Sequence, residues 1–312
     1  MTSTSIRNKT PLYRRILSRW QLYLLLVVPV AYIVIFAYIP MAGIQLAFKK
    51  FTLDGGIWGS PWIGLENFTK FFSSYQFERV VGNTIKISLY SLIAGFPMPI
   101  LFALMLNAMV SVRYKKFIQT VTYIPHFIST VVMVGMLIQF FNPRIGLFGV
   151  FYTLLTGQEA PNLLGQPDAF SHLYVWSGIW QGLGWSSIIY MAALANADPE
   201  LHEAAVIDGA SRFKRIIYID FPCILPTAII LLIVSTGSIM NVGFEKIFLM
   251  QNNLNRRASE VISTYVYQVG IGSSSLNFSY ATAIGLFNSI INFILISLVN
   301  FISRKLSDQS LW

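Results

Sequence analysis

The sequence predicts an all-α membrane protein with six transmembrane helices. Of its 312 residues, 55% are hydrophobic and only 11% are charged, whereas a soluble domain carries about 25% charged residues. Six apolar runs are each long enough to cross a bilayer, which takes about 20 residues in a helix. The predicted spans are Gln21–Phe48, Thr84–Met109, Phe117–Phe141, His172–Asn196, Ile224–Val242 and Tyr280–Ile302.

The first run is predicted to remain as a span. Arg14, Arg15 and Arg19 precede it, as basic residues precede a signal peptide, but the run is too long and lacks a small-residue cleavage site. Two shorter apolar stretches, Gly146–Leu155 and Val261–Ile271, cannot cross a bilayer. We expect both to lie on the outer surface and cap an outer vestibule.

Positive charge predicts the orientation of the chain. With the N-terminus inside, the inward-facing segments hold 13 basic residues and the longer outer loops hold eight, with Lys86 at a span entrance. Because Lys and Arg collect on the cytoplasmic side, both termini are predicted cytoplasmic, in a bacterial cell membrane. The inward-facing residues are Arg7, Lys9, Arg14, Arg15, Arg19, Arg113, Lys115, Lys116, Arg212, Lys214, Arg215, Arg304 and Lys305.

The sequence lacks the residues that several classes of function require. The predicted spans contain no Asp, Glu or Arg for a proton relay, and His126, which follows Pro125, is assigned a structural or interfacial role. A Na⁺ site built from carbonyls and hydroxyls stays open. There is no Gly-Lys pair for a phosphate-binding loop. With one cysteine, Cys223, and three histidines, we expect no disulfide, metal site, catalytic residue or nucleic-acid partner.

The loop after the fourth predicted span is the most informative segment. Asp198 is a good N-cap, Pro199 suits the first helical position, and Gly209 can adopt positive φ and end the helix. Ser211 can cap a second helix that runs to Ile219. The pattern therefore predicts a helix, a sharp turn and a second helix in the cytoplasm. An ordinary amphipathic linker is the alternative interpretation.

The motif Glu-Ala-Ala, two residues, Asp-Gly-Ala, in this loop resembles that of permeases of binding-protein-dependent ABC importers. The resemblance extends from about residue 83 to the C-terminus, and it implies a type I ABC importer permease fold with a cytoplasmic coupling helix. It also implies that the loop docks on a cytoplasmic ATPase dimer, which would hold the ATP and Mg²⁺, so that this chain carries no cofactor. Phe221 stands where the family usually has Leu. The implied coupling residues are Glu203, Ala204, Ala205, Asp208, Gly209 and Ala210.

Two further segments resemble the carbohydrate permeases of the maltose, alginate and lipoprotein/polysaccharide type. They are Tyr123–Ser129 and Trp180–Trp185. Sugars bind to aromatic faces and through directed hydrogen bonds. Polar residues gather in the fourth and fifth spans and, as Asn288 and Asn292, in the sixth. In the fifth span, Ser235, Ser238 and Asn241 follow helical spacing. Packing between helices is the alternative for each residue. The predicted substrate path is Trp180, Gln181, Gly184, Ser187, Ser235, Ser238 and Asn241. Glu245 and Lys246 are predicted either to gate its outer mouth or to pair with each other.

These observations predict a permease subunit that imports an oligosaccharide or polysaccharide fragment. The expected partners are the ATPase dimer, a second homologous permease in a heterodimer, an extracytoplasmic solute-binding protein and membrane lipid. A non-sugar ABC importer permease and an autonomous secondary carrier or channel are the alternatives. The predicted division is a cytoplasmic segment 1–20, the first span and outer loop 21–82, a permease core 83–303 with the coupling loop 198–222, and a cytoplasmic tail 304–312.

Overall fold

The computed structural model describes residues 18–272 and 276–306, and within these ranges the chain is helical apart from one isolated β-bridge, Lys49–Trp62. Most of the predicted segment 1–20 and tail 304–312 lies outside the described residues. The helices of six residues or more are α1 (Trp20–Phe48), α2 (Glu66–Phe72), α3 (Tyr75–Asn107), α4 (Val112–Phe127), α5 (Thr130–Phe140), α6 (Leu147–Thr156), α7 (Pro167–Leu194), α8 (Pro199–Ile207), α9 (Arg212–Gly237), α10 (Phe244–Met250), α11 (Ile262–Tyr267) and α12 (Phe278–Leu306).

Six spans are not confirmed. In the described ranges, α1, α3, α9 and α12 are long and apolar enough to cross a membrane, and the bent pair α4 and α5 makes a fifth span if it counts as one. Helix α7 has 28 residues but does not belong to this apolar set. It packs against α3, α4 and α9, so neighbouring helices rather than lipid surround much of it. Its serines and glycines are compatible with that central position.

The third predicted span, Phe117–Phe141, is not one continuous helix, because α4 and α5 meet at an angle of 100°. Pro125 lies at the end of α4 and lacks the backbone N–H that would continue the helix. Ile128 is extended, and the Ser129 side chain accepts a hydrogen bond from Val132 N at 3.3 Å, which caps α5. The break therefore results from local features at Pro125, Ile128 and Ser129.

The fifth predicted span also has different bounds, since α9 begins at Arg212 rather than Ile224 and ends at Gly237 rather than Val242. A π-helical turn, Ile216–Asp220, ends two residues before Pro222. The ring of a helical proline collides with the carbonyl four residues earlier, and the wider turn moves that carbonyl away. Pro40 in α1 follows a π-turn at Val34–Tyr38 in the same way. The prolines are accommodated and do not end the helix.

Apolar contacts hold the helices together in three clusters. One joins α3, α5, α7 and α10, with Ile87 and Ile247 fully buried. Another joins α2, α3, α11 and α12 around Phe71, and the third joins α3, α7 and α9 around Ile224. By contrast, the apolar side chains of α1 are exposed along most of its length. Lipid or another polypeptide must cover them in the membrane.

The first part of the stretch 261–271 packs into the protein interior, and its location on the outer side of the membrane stays a prediction. Val261 and Ile262 are fully buried, and Ile262 N donates a hydrogen bond to Thr84 Oγ1 of α3 at 3.0 Å. This stretch belongs to the apolar core because α3 extends nine residues beyond its predicted start at Thr84 and gives it a surface to pack on. Helix α6, in contrast, keeps an exposed apolar face that includes Leu154 and Leu155.

Candidate functional site

A cavity of about 470 Å³ lies between α3, α7 and α9. It lies along α3 between the buried residues Ile87 and Ile100. Its wall is mixed, and seven of its residues carry a hydroxyl group: Ser88, Ser91, Tyr174, Ser186, Tyr190, Ser235 and Ser238. Ser88 is buried, and its Oγ has no hydrogen-bond partner among the described residues. A buried hydroxyl without a partner costs free energy, so a polar ligand or water in this cavity would stabilise it.

An adjoining recess of about 290 Å³ shares Ser91, Tyr174 and Ser186 with the cavity. Gln181 lines this recess and donates a hydrogen bond from Nε2 to Ile128 O at 2.8 Å, at the break between α4 and α5. Lys246 of α10 also lines the recess. Cavity and recess together present hydroxyls, two side-chain amides, aromatic rings and one ammonium group.

Four of the seven predicted path residues line this space, namely Gln181, Ser235, Ser238 and Asn241. The prediction that Ser235, Ser238 and Asn241 lie on one face of a continuous helix is wrong, because α9 ends at Gly237. Ser238 therefore lies in the turn after α9 and donates a hydrogen bond to Ser235 O at 3.3 Å. The three polar residues still converge on one cavity, although a turn and not a continuous helix brings them there.

Asn241 is held by two amides of α12. Its Oδ1 accepts hydrogen bonds from Asn288 Nδ2 at 2.9 Å and from Asn292 Nδ2 at 3.1 Å. Asn292 Oδ1 in turn accepts a hydrogen bond from Met240 N at 3.0 Å. This network fixes the chain where it leaves α9 and keeps Asn241 at the cavity wall.

The other three predicted path residues do not line the cavity or the recess. The Ser187 side chain is completely buried and donates a hydrogen bond to Gly184 O at 2.6 Å. Gly184 itself lies against α4, where an added Cβ would be 2.3 Å from Thr122 O. Trp180 is 50% exposed. In this chain the contacts of Gly184 and Ser187 are packing contacts, and a role in solute passage stays a prediction for all seven residues.

The predicted helix–turn–helix forms at the other end of α7 and α9. Asp198 caps α8, because its Oδ1 accepts a hydrogen bond from Glu200 N at 2.9 Å. Gly209 has a φ of +75°, and Ala210 N donates to Ala205 O at 2.8 Å, which closes the helix. Ser211 caps the next helix by accepting from Lys214 N at 3.4 Å. That second helix does not end at Ile219 but continues as α9.

Helix α8 leaves one face uncovered. Glu203, Ala204, Asp208 and Gly209 are exposed, whereas Ala205 and Ala210 are half-buried. Large apolar side chains flank them, and Ile207 is 85% exposed. Exposed large apolar side chains are typical of a surface that another protein covers.

A polar cluster fastens α8 to the long helices. Asp220 of α9 is only 3% exposed, and its Oδ1 accepts a hydrogen bond from Asn107 Nδ2 at the end of α3, at 3.1 Å. The same oxygen lies 3.2 Å from His202 Nε2 of α8. One buried carboxylate thus connects α8, α3 and α9, and the latter two helices line the cavity.

Comparison with known proteins gives a family. The model of the binding-protein-dependent transport system inner membrane component matches residues 95–308. The chain belongs to this family of transport permeases. Protein LplB of Bacillus subtilis (strain 168) is 40% identical over 294 residues, which covers 94% of this chain and 91% of LplB. The polygalacturonan/rhamnogalacturonan transport system permease protein YteP of the same organism is 36% identical, with 96% of this chain and 92% of YteP covered.

Solved structures agree with this assignment. A bacterial ABC transporter involved in the import of the acidic polysaccharide alginate matches with a TM-score of 0.87 and 38% identity, covering 95% of this chain and 99% of that chain. The bacterial alginate ABC transporter in complex with an alginate pentasaccharide-bound periplasmic protein matches with a TM-score of 0.87, 37% identity and coverage of 96% and 99%. The permease therefore has the type I ABC permease fold, as the sequence predicts.

Sequence reasoning about this permease missed the contribution of α3 to the cavity. Ser88, Ser91 and Gly95 line it, and they follow the three- and four-residue spacing of one helix face. That spacing was a usable signal within an otherwise apolar span. Tyr174 and Ser186 of α7 also line the cavity, but only the packing of α7 against α3 and α9 shows which face of α7 they share.

Proposed function

We propose that this chain is a transmembrane permease subunit of an ATP-driven importer that translocates an oligosaccharide or polysaccharide fragment. Membership of the transport family and a cavity lined by hydroxyl-bearing, amide and aromatic side chains among apolar ones support this function. Relatives whose names specify polygalacturonan/rhamnogalacturonan and arabinooligosaccharides point to the same class of solute. Hydroxyl, amide and aromatic groups together suit a saccharide, which combines hydroxyls with apolar C–H faces.

The energy for transport comes from a separate cytoplasmic ATPase dimer that binds ATP and Mg²⁺. The observation that carries this part of the proposal is the exposed face of α8, with Glu203, Ala204, Asp208 and Gly209 on it. Small side chains allow a partner to approach closely, and Glu203 offers a carboxylate to a cationic or amide group. The chain needs no catalytic residue of its own in this scheme.

Movement of α8 would reach the cavity through the buried carboxylate of Asp220. Closure of the ATPase dimer pushes on α8, and the contacts of Asp220 with His202 and Asn107 pass the displacement to α9 and α3. These helices then rock as rigid bodies and open the cavity outward, and nucleotide release reverses the motion. Opposite opening at the two membrane faces is what alternating access requires.

Two further partners complete the assembly. One α8 loop engages one ATPase subunit, so a second, homologous permease is required for a dimer of ATPases. An extracytoplasmic solute-binding protein delivers the solute, which accords with the periplasmic protein in the alginate transporter complex. In the bacterial cell membrane, the multi-pass permease would keep both termini in the cytoplasm, and α8 would lie on that side.

Reconstitution into proteoliposomes tests this function. The permease pair and ATPase, supplied with the binding protein, are expected to accumulate a labelled oligosaccharide only when ATP is on the ATPase side. Accumulation by the permease alone under an ion or solute gradient would establish a secondary carrier instead. ATP-dependent uptake of an amino acid or peptide, with no uptake of saccharides, would keep the ABC assembly and refute the solute class.

Variants of α8 test the coupling role within the same assembly. Glu203→Gln should abolish uptake while the protein still inserts into the membrane. Glu200→Gln, three residues earlier on the same exposed helix, provides the control and should transport normally. Normal uptake by Glu203→Gln would remove Glu203 from the coupling mechanism.

A further inference from the structure

Lys246 brings an ammonium group into the recess beside the cavity. It lies in the first turn of α10, and its Nζ donates a hydrogen bond to Tyr174 O of α7 at 2.7 Å. The same nitrogen lies 4.6 Å from the centre of the Tyr174 ring, within the range of a cation–π contact. The end of this flexible side chain is therefore fixed against α7, at the wall of the recess.

A glycine makes room for this ammonium group. A Cβ at Gly178 would lie 3.1 Å from Lys246 Nζ, which is closer than ordinary van der Waals contact. With glycine at this position, Nζ can lie against the backbone of α7, one helical turn from Tyr174. The position of the charge is thus defined by residues of two different helices.

Among the residues that the structure describes, none supplies a counter-charge to the Lys246 ammonium group. Lys246 is the only charged residue that lines either the cavity or the recess, on the described ranges. Glu245 does not pair with it, since Glu245 is exposed and the ion pairs of the described residues join other groups. Burial lowers the pKa of Lys246 to about 8, which leaves it mainly protonated at neutral pH. A partly desolvated cation without an anion is costly.

The polar groups of the cavity and recess that lack hydrogen-bond partners or a counter-charge among the described residues indicate the chemistry of a ligand. An ammonium has three N–H donors, and Tyr174 O accepts from one of them, which leaves donors for an anion. Ser88 Oγ is buried without a partner, and Ser91, Ser186 and Asn241 add polar groups nearby. One ammonium matches the single charge of a carboxylate, whereas a phosphate monoester carries a charge of about −1.5 to −2. A sugar acid supplies both the carboxylate and the hydroxyls.

We propose that Lys246 binds the carboxylate of a uronic acid residue and that the solute carried through this cavity is an acidic oligosaccharide. This inference rests on the proposed function and narrows it to one class of saccharide. Lys246 is then a specificity-determining residue, which favours charged chains over neutral chains of the same length.

Uptake of two matched trisaccharides by the complete assembly tests this assignment. Proteoliposomes with the permease pair, ATPase and binding protein receive labelled trigalacturonate or galactotriose, which differ in the carboxylates. We expect the wild type to accumulate trigalacturonate, and Lys246→Gln to reduce that uptake by about ten-fold or more. Lys246→Arg should retain most of it. Lys50→Gln, which changes an exposed lysine outside the cavity, is the control and should match the wild type.

Each alternative result has a distinct meaning. Undiminished trigalacturonate uptake by Lys246→Gln, or wild-type uptake of galactotriose alone, would overturn the inference and leave the proposed function in place. If the wild type takes up both sugars and Lys246→Gln loses the uptake of both equally, Lys246 has a structural role and the inference is also overturned. Uptake of neither sugar by the wild-type assembly would refute the proposed oligosaccharide function, and this inference with it.

Discussion

Replacing Gly184 by alanine tests how closely α7 must pack against α4. The added Cβ would lie 2.3 Å from Thr122 O, 2.6 Å from the carbonyl carbon of the same residue and 2.7 Å from Tyr123 Cδ1. Two of these atoms belong to the backbone and cannot rotate away. The helices would have to separate by about 1 Å to reach ordinary contact at 3.4 Å. Dense packing on both sides of α7 opposes that movement.

The expected change in the free energy of unfolding of Gly184→Ala is the sum of two opposing contributions. Overpacking of a well-packed site costs about 1–3 kcal/mol, and replacing glycine by alanine within a helix returns about 0.5–1 kcal/mol. Gly184→Ala should therefore lower stability. At Gly182 on the same helix, the nearest atom to an added Cβ is Ser186 Oγ at 3.9 Å, so Gly182→Ala should gain the helical contribution alone. The two variants carry the same chemical change and differ in the space available.

Thermal unfolding in detergent measures the difference. The chain has one cysteine, Cys223 of α9, whose Sγ lies 3.5 Å from Ala193 O of α7, so reaction with a thiol-specific fluorophore reports the separation of these helices. At about 2–4 °C per kcal/mol for a domain of 150–250 residues, Gly184→Ala should melt several degrees below Gly182→Ala. Equal melting temperatures would refute the close approach. Lost transport with equal melting would instead support the predicted place of Gly184 in the solute path.

Three other predictions concern the coupling loop and the recess. Gly209→Ala should strain the loop by about 1–2 kcal/mol, because an L-residue is disfavoured at positive φ, and should reduce ATP-dependent uptake. The control is Gly59→Ala, where φ is not positive and the added Cβ meets no atom within 4 Å. Equal uptake by the two variants would contradict the expectation. Asp220→Ala removes the acceptor shared by His202 and an asparagine and should cost about 1–3 kcal/mol; an unchanged melting temperature would show that the cluster does not fasten α8. Since burial lowers the pKa of Lys246 from 10.5 to about 8, the unfolded chain binds more protons between these values, and the stability of the wild type should rise relative to Lys246→Gln by up to about 1.4 kcal/mol per pH unit there. If the melting temperatures of the two proteins change equally between pH 8 and pH 10, the burial of Lys246 is refuted.

Local signals in the sequence predicted the helix ends of the coupling loop. Asp198, Gly209 and Ser211 perform the capping roles expected of their residue types, because a cap depends on atoms within a few residues. Pro125 shows the limit of such reasoning. An interrupted third span was readable from Pro125 and Ser129, but the angle of 100° depends on how the two helices pack against their neighbours.

The candidate cavity was predicted only in part, for the same reason. Hydropathy selected the fourth and fifth spans and their polar residues, and Ser235 and Asn241 do line the cavity. Gly184 and Ser187 are equally polar or small in the sequence, yet they face α4 and the backbone of α7. Which face of a helix a residue shares with a distant helix is not encoded in its immediate neighbours.

The sequence by itself determined that this chain is an all-helical membrane protein with a capped helix–turn–helix between two spans, since transfer into lipid and helix capping act on short stretches of chain. The tertiary structure alone decided that α3, α7 and α9 line one cavity, that Lys246 reaches the recess beside it, and that Asp220 connects α8 to α3. Lys246 and Tyr174 are 72 residues apart in the chain, and Asn107 and Asp220 are 113 apart. Contacts of that range exist only once the helices pack, because packing rather than local propensity decides which side chains meet.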